Sequence, residues 1–278
     1  MKRGIVFAAT GEPGSIHITM AQKAAIHVKQ VMPQIDIHLF TNQTIEHPAI
    51  DKVIPLNDGA AFRPKLEAMS ASEFDQTIYL DNDIAVLADI SMLFEVLDRF
   101  DYAIAGNERT LAAETASGAA YPVLLEKNSG VLAFRKSESM IDFLDTWRDR
   151  YVRSGDTNDQ FHMMQTMFEK PNVAWLHLPR IFNTICSVRS KENRLTFQLP
   201  KRNEPMIRVL HLCGIKKLGG TTLRELKDVS RGFHYEKHLS SELRRSFRKR
   251  MKKVGWEDQI EPELGLFKAL ASKLGLKL

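Results

Sequence analysis

Apolar residues come in short blocks along the first 220 positions of the chain, and the spacing inside the blocks switches between two rhythms. A continuous apolar run at 4–9 has the character of a buried strand. After GEPGS, the apolar residues of 16–31 recur at helical spacing until Pro33. Positions 35–40 (IDIHLF) alternate as a half-buried strand does. The same reading predicts strands at 53–55, 77–80, 102–105, 130–134 and 208–212, and helices at 64–72, 90–99, 138–151 and 159–168. Regular alternation of strand and helix predicts an α/β domain whose mostly parallel sheet is covered by helices on both faces. Small residues dominate 111–120, which predicts a mobile loop or irregular helix near the functional site.

Composition sharpens this picture in one place. The chain of 278 residues is 44% hydrophobic and 26% charged, as soluble globular proteins are, with a net charge of +5. That charge is concentrated beyond residue 221, so the front of the chain is not a general polyanion binder. The expected division is therefore a catalytic α/β domain over 1–220 and a helical basic extension over 221–278. Cys186 and Cys213 lack metal-ligand spacing, which points to reduced thiols and a cytoplasmic location. The N-terminal apolar stretch reads as a first strand and not as a signal peptide, and no window reaches the roughly 18 apolar residues of a membrane span.

Candidate chemistry centres on TIYLDNDIAV at 77–86, where two carboxylates, Asp81 and Asp83, flank Asn82 at the end of a buried strand. In open α/β sheets ligands bind at the carboxyl ends of strands. Two carboxylates one residue apart can face one hard cation together and leave it open positions for phosphate oxygens. A solvated turn explains the same residues, because Asp and Asn side chains bond nearby backbone. So does a phosphatase of the haloacid dehalogenase type with Asp81 as nucleophile, although that motif ends the first strand of its domain and here a long stretch of strand and helix precedes it. A further alternative is a membrane or partner adaptor that has lost its chemistry.

Several segments in order resemble the family 8 glycosyltransferases and their relatives of the GT-A nucleotide-sugar fold. IYLDNDIAV is similar to the family's D-x-D segment, and NSGVLAF at 128–134 to its N-x-G segment through Asn128 and Gly130. Asp159-Gln160 resembles the acid-glutamine pair that opens the next helix, LPRIFN at 178–183 the leucine-proline segment ending in asparagine, and HLCGIKK at 211–217 the H-x-x-G-x-x-K motif. The family's proline and aromatic after the lysine are replaced by Leu218 and Gly219.

The resemblance implies a GT-A, Rossmann-like sheet and a donor that is a nucleotide-diphosphate sugar, with UDP as the nucleotide and Mn2+ or Mg2+ as cofactor. It implies Asp81, Asp83 and His211 as metal ligands, a neutral imidazole completing the carboxylate pair. Donor contacts would come from Ala8, Ala9 and Thr10 at the uracil, from Lys65, Asn82, Gly214 and Lys217 toward the diphosphate, with Arg63 a weaker candidate, and from Asn128 at the sugar. Asp159 and Gln160 would be the catalytic, sugar- and acceptor-facing groups, since amides and carboxylates match hydroxyls that both donate and accept. Transfer with retention needs no dedicated base, whereas an inverting relative would use a carboxylate such as Asp159.

The tail packs seven basic residues into positions 244–253, followed by Leu264, Phe267, Leu270 and Leu274 at helical spacing. Such a segment suits either a membrane surface or docking on the catalytic domain. A lipid-linked or lipopolysaccharide acceptor would suit the former. No aromatic stacking platform accompanies the charge, so nucleic acid is not an expected partner.

Overall fold

Alternation along β1 (Arg3–Ala8) decides the layering of the molecule: Ile5 and Phe7 face one side of the sheet, Val6 and Ala8 the other. The computed structural model describes residues 1–56, 63–111, 125–189, 194–197 and 208–213. The tail and the sites expected at Gly214 and Lys217 lie outside the described residues. Among the described residues no helix is long and apolar enough to cross a membrane.

After β1 come α1 (Ile16–Val31), β2 (Asp36–Thr41), β3 (Lys52–Pro55), α2 (Pro64–Ser70), β4 (Gln76–Leu80), β5 (Ile84–Val86) and α3 (Met92–Val96). They are followed by β6 (Tyr102–Leu111), β7 (Leu125–Arg135), α4 (Glu138–Ser154), α5 (Asp159–Glu169), β8 (Trp175–Leu178), β9 (Thr184–Arg189), β10 (Arg194–Phe197) and β11 (Val209–Cys213). A 7-stranded sheet runs β3-β2-β1-β4-β7-β6-β8. Its neighbours are parallel except at β7, which pairs antiparallel with β4 and β6. The expected mostly parallel sheet is thus present, with one reversed strand near its middle.

The two faces bury separate cores. On one side Ile5, Phe7, Ile78 and Leu80 pack with the buried stripe of α1 (Ile18, Ala21, Ala24, Ala25, Val28) and with α3. On the other, Val6, Tyr79 and Leu132 pack with α2, α4 and α5. In α4, Met140, Phe143, Leu144, Trp147 and Tyr151 form one buried stripe. Ser137 caps its start by accepting from the Met140 amide at 3.2 Å, and Gly155, with φ at 68°, ends it in the left-handed conformation.

Three local expectations change. The helix read at 90–99 is α-helical only over Met92–Val96, because Leu97, Asp98 and Arg99 tighten into amide bonds reaching three residues back. Strand β5 and the strands β8, β9 and β10 were not legible from periodicity. Strands β10-β9-β11-β5 form a separate 4-stranded sheet, with β5 antiparallel to β11 and β11 parallel to β9.

The chain leaves β1 for β2 and β3 on one side and returns to β4 on the other. Connections diverging from neighbouring parallel strands open a crevice at their carboxyl ends.

Candidate active site and metal centre

That crevice is a cavity of about 330 Å³. Ala8, Ala9 and Thr10 line it from the end of β1, Asp81, Asn82 and Asp83 from the end of β4, and Lys65 from the first turn of α2. Asn128, Asp159, Gln160 and His211 complete the set, so every described residue expected at the site reaches one cavity.

The metal-ligand candidates are assembled across the two sheets. Asp81 follows β4 and its amide donates to the Gly130 carbonyl at 2.8 Å, which continues the β4–β7 pairing. Asp83 precedes β5, and His211 on β11 pairs in register with Ile84, the residue after Asp83. Ligand atoms of Asp81, Asp83 and His211 lie within 4.8 Å of one another. His211 Nε2 is 3.2 Å from Asp83 Oδ1 and 3.7 Å from Asp81 Oδ2. Two carboxylates and one imidazole suit a divalent cation such as Mn2+ or Mg2+, with charge supplied by the acids.

Strand alternation brings Tyr79 to the same face as Asp81, and its hydroxyl donates to Asp81 Oδ1 at 2.8 Å. Burial first, and the neighbouring Asp81 second, push the Tyr79 phenol well above its ordinary range. It therefore stays protonated and holds the carboxylate in place.

A second part of the lining is cationic. Pro64 opens α2 at a position where its missing N–H costs nothing, and this turn aims Arg63 and Lys65 into the crevice. Lys65 Nζ donates to Ser129 Oγ at 2.6 Å and pairs with Asp159 Oδ2 at 2.7 Å, while Arg63 Nε lies 3.2 Å from Asp159 Oδ1. Asp159 is only 1% exposed and Lys65 6%. Burial would lower the Lys65 pKa, but Asp159 and then Asp81 outweigh it, so the ammonium is held above its ordinary value. Burial likewise opposes ionisation of Asp159, yet Lys65 and Arg63 outweigh it and keep that carboxyl below its ordinary value. Both groups are charged at neutral pH. Asp159 is fixed from behind as well, because Trp147 on α4 donates its indole N–H to the Asp159 carbonyl at 2.7 Å. Asn158 caps the same helix end by accepting from the Gln160 amide at 3.1 Å.

Asn128 folds back so that its Oδ1 accepts from the Gly130 amide at 3.0 Å and from Asn183 Nδ2 at 2.8 Å. With that oxygen engaged in the wall, its NH2 is what it can offer a ligand. Tyr79, Ser129, His17 and Asn183 were not singled out as site residues from sequence, although Tyr79 follows from period-two spacing to Asp81 and Ser129 stands inside N-x-G.

No protein-family model and no curated protein matches the chain. Solved structures do. The glycosyltransferase GlyE of Streptococcus pneumoniae TIGR4 aligns with TM-score 0.51 and 18% identity over 81% of this chain, which spans only 60% of the GlyE chain. The galactosyltransferase LgtC, solved with donor and acceptor sugar analogs, aligns with TM-score 0.50 and 16% identity over 76% of this chain and 87% of its own. An active-site mutant of LgtC aligns equally, at TM-score 0.50 and 17% identity. The architecture is thus the GT-A-like α/β fold shared with these glycosyltransferases.

Proposed function

We propose that this chain is a glycosyltransferase that moves a sugar from a nucleotide-diphosphate donor, a UDP-sugar, to a hydroxyl of a glycan or lipid-linked saccharide, with retention. One observation carries the reading: Asp81, Asp83 and His211, brought together from two sheets, share a cavity at the switch point with the charged Lys65–Asp159–Arg63 group.

Asp81, Asp83 and His211 would hold Mn2+ or Mg2+, whose positive charge would offset that developing on a departing diphosphate. The chain's own residues do the rest. Tyr79 and the Gly130 carbonyl keep Asp81 aimed at the ligand position. Ala8, Ala9 and Thr10 leave room at the end of β1 for a flat base, and Asn82 lies beside the diphosphate position. Lys65 and Arg63 present positive charge that Asp159 only partly offsets, which suits the sugar-phosphate region of a donor. The Asn128 NH2 and the Gln160 amide face sugar hydroxyls.

In the transfer the bond from the anomeric carbon to the diphosphate oxygen breaks and a bond to the acceptor oxygen forms on the same face. The acceptor's proton passes to the departing phosphate oxygen, so no protein base is required. Both Asp159 oxygens already serve cations, which favours a sugar-positioning role over proton abstraction. Hydrolysis through Asp81 is disfavoured because the Tyr79 hydroxyl occupies one of its oxygens and His211 lies beside the other. Gly214 and Lys217 are proposed to extend the diphosphate contacts. The basic tail is proposed to bring a cytoplasmic enzyme to the inner membrane surface.

Calorimetry with UDP in the presence and absence of Mn2+ tests the proposal. Metal-dependent nucleotide binding is expected, and UDP binding that ignores Mn2+, or fails altogether, overturns it. Repeating the titration across nucleotide sugars identifies the donor.

A further inference from the structure

Histidine has two ring nitrogens, and only one can face Asp81 and Asp83 with a lone pair. Around His211 that choice can be traced to a group whose hydrogen-bonding sense is fixed by covalent structure. The Gly130 backbone N–H can only donate, so the Asn128 side-chain atom it meets at 3.0 Å is the amide oxygen. Asn183 reaches that same oxygen at 2.8 Å, so the atom it presents there is its NH2. Its own oxygen is thereby turned to His211 Nδ1, 2.9 Å away. An amide oxygen only accepts, so Nδ1 carries the hydrogen, and the lone pair of the neutral ring sits on Nε2, the atom facing the carboxylates.

Packing leaves this chain of bonds little freedom. Asn183 and His211 are 2% and 3% exposed. Asn183 sits just before β9, one position from Thr184, which pairs with Leu210, the neighbour of His211. A Cβ on Gly130 would lie 2.2 Å from His211 Cε1 and 2.5 Å from its Nδ1, so the absence of a side chain there is what lets the ring approach β7 this closely.

We propose that Asn183 is a positioning residue that selects the Nδ1–H tautomer of His211, relayed from the Gly130 amide through Asn128, and so presents Nε2 to a divalent cation. The inference rests on the metal-dependent reading of the site. Partners of this kind, bonded to the far nitrogen of a ligating histidine, fix ring orientation and raise ligand basicity.

The test uses the full chain with ¹⁵N-labelled histidine rings, His211 being assigned through a His211→Ala variant. On the alkaline side of that ring's own titration, the metal-free wild type is expected to show a bare Nε2 and a protonated Nδ1. Asn183→Asp still accepts from Nδ1–H and should keep that signature, whereas Asn183→Leu should lose it. In Mn2+ titrations followed by electron paramagnetic resonance, Asn183→Leu is expected to bind about 10- to 100-fold more weakly. Asn183→Asp should stay within a few-fold of wild type even though its second oxygen faces Asn128 and lowers the melting temperature. A purely structural role would make both variants fail alike, and that result overturns the proposal. A protonated Nε2 in the wild type also overturns it, whatever the variants do. Should the wild type show the expected tautomer yet bind no Mn2+, the metal-dependent reading fails while the assignment of the tautomer stands.

Discussion

The two walls of the cavity are built on opposite electrostatic plans. On the cationic wall, Lys65 and Arg63 converge on Asp159, whose single charge offsets one of the two cations. On the acidic wall, a tyrosine hydroxyl and a backbone carbonyl hold Asp81 in place, and His211 faces both carboxylates with Nε2, so the wall keeps its negative character. A buried charge is expensive unless it is paired. The first wall therefore holds its buried carboxylate through pairing that belongs to the fold, and one positive charge is left over for a ligand. The second is shaped for positive charge to be added. Function and stability should accordingly separate along this line.

The largest expected effect is on the acidic wall. Asp83→Ala should lower metal-dependent UDP-sugar turnover by about a thousandfold or more, since such an ion supplies several kcal/mol to the reaction. Its far-ultraviolet circular dichroism and melting temperature should match wild type. Turnover within tenfold of wild type would remove Asp83 from the ligand set.

The cationic wall should respond in stability. Lys65→Met leaves Asp159 buried beside Arg63 alone, and about 3 kcal/mol of folding free energy should be lost, read from urea unfolding. Equal stability would mean that Arg63 suffices to hold the carboxylate.

Tyr79→Phe should weaken Mn2+ binding by about tenfold by releasing Asp81, without changing the Lys65–Asp159 pair. A Mn2+ affinity equal to wild type would show that the hydroxyl plays no part in aiming the carboxylate.

The pH dependence gives the smallest and most discriminating effect. Asp159 titrates below its ordinary value when folded, so its contribution is present above the unfolded carboxylate pKa of 3.8 and is lost as pH falls through the folded one. Lys65 is raised, so its contribution is present below 10.5 and is lost as pH rises through the folded value. In Lys65→Met the acid limb of stability should begin at higher pH than in wild type, because burial then opposes the Asp159 charge with one cation fewer. An unshifted limb would show that Asp159 does not depend on Lys65.

Much of this arrangement was legible because it follows from short-range pattern. Period-two and helical spacing located β1, α1, β2, β4, α4 and α5, and with β4 the Asp81–Asp83 pair, whereas Ala8 to Thr10 and Asp159 were singled out through the resemblance. What stayed hidden depends on distance in sequence. Three-residue β5 is fully apolar, so nothing in its spacing separates it from the end of a longer strand. With it the 4-stranded sheet that carries His211 was missed. Asn183 ends the LPRIFN segment that carries part of the resemblance, but its partners are revealed only once Asn128 and His211 are folded against it. His211 was singled out only because its motif resembled a known one, since a histidine in an apolar strand is otherwise unremarkable.

The junction at Asp81–Asn82–Asp83 joins the end of one sheet to the start of the other, with His211 facing it from β11. A ligand seated there would act as a rivet between two sheets that the chain also connects through α3 and through residues 179–183. Saturation at a hundred times the dissociation constant would add about 2.7 kcal/mol of stability. Amide exchange in β5 and β11 would then slow more than in β2 or β3, so that the small sheet would register occupancy of the site as a change in its own rigidity.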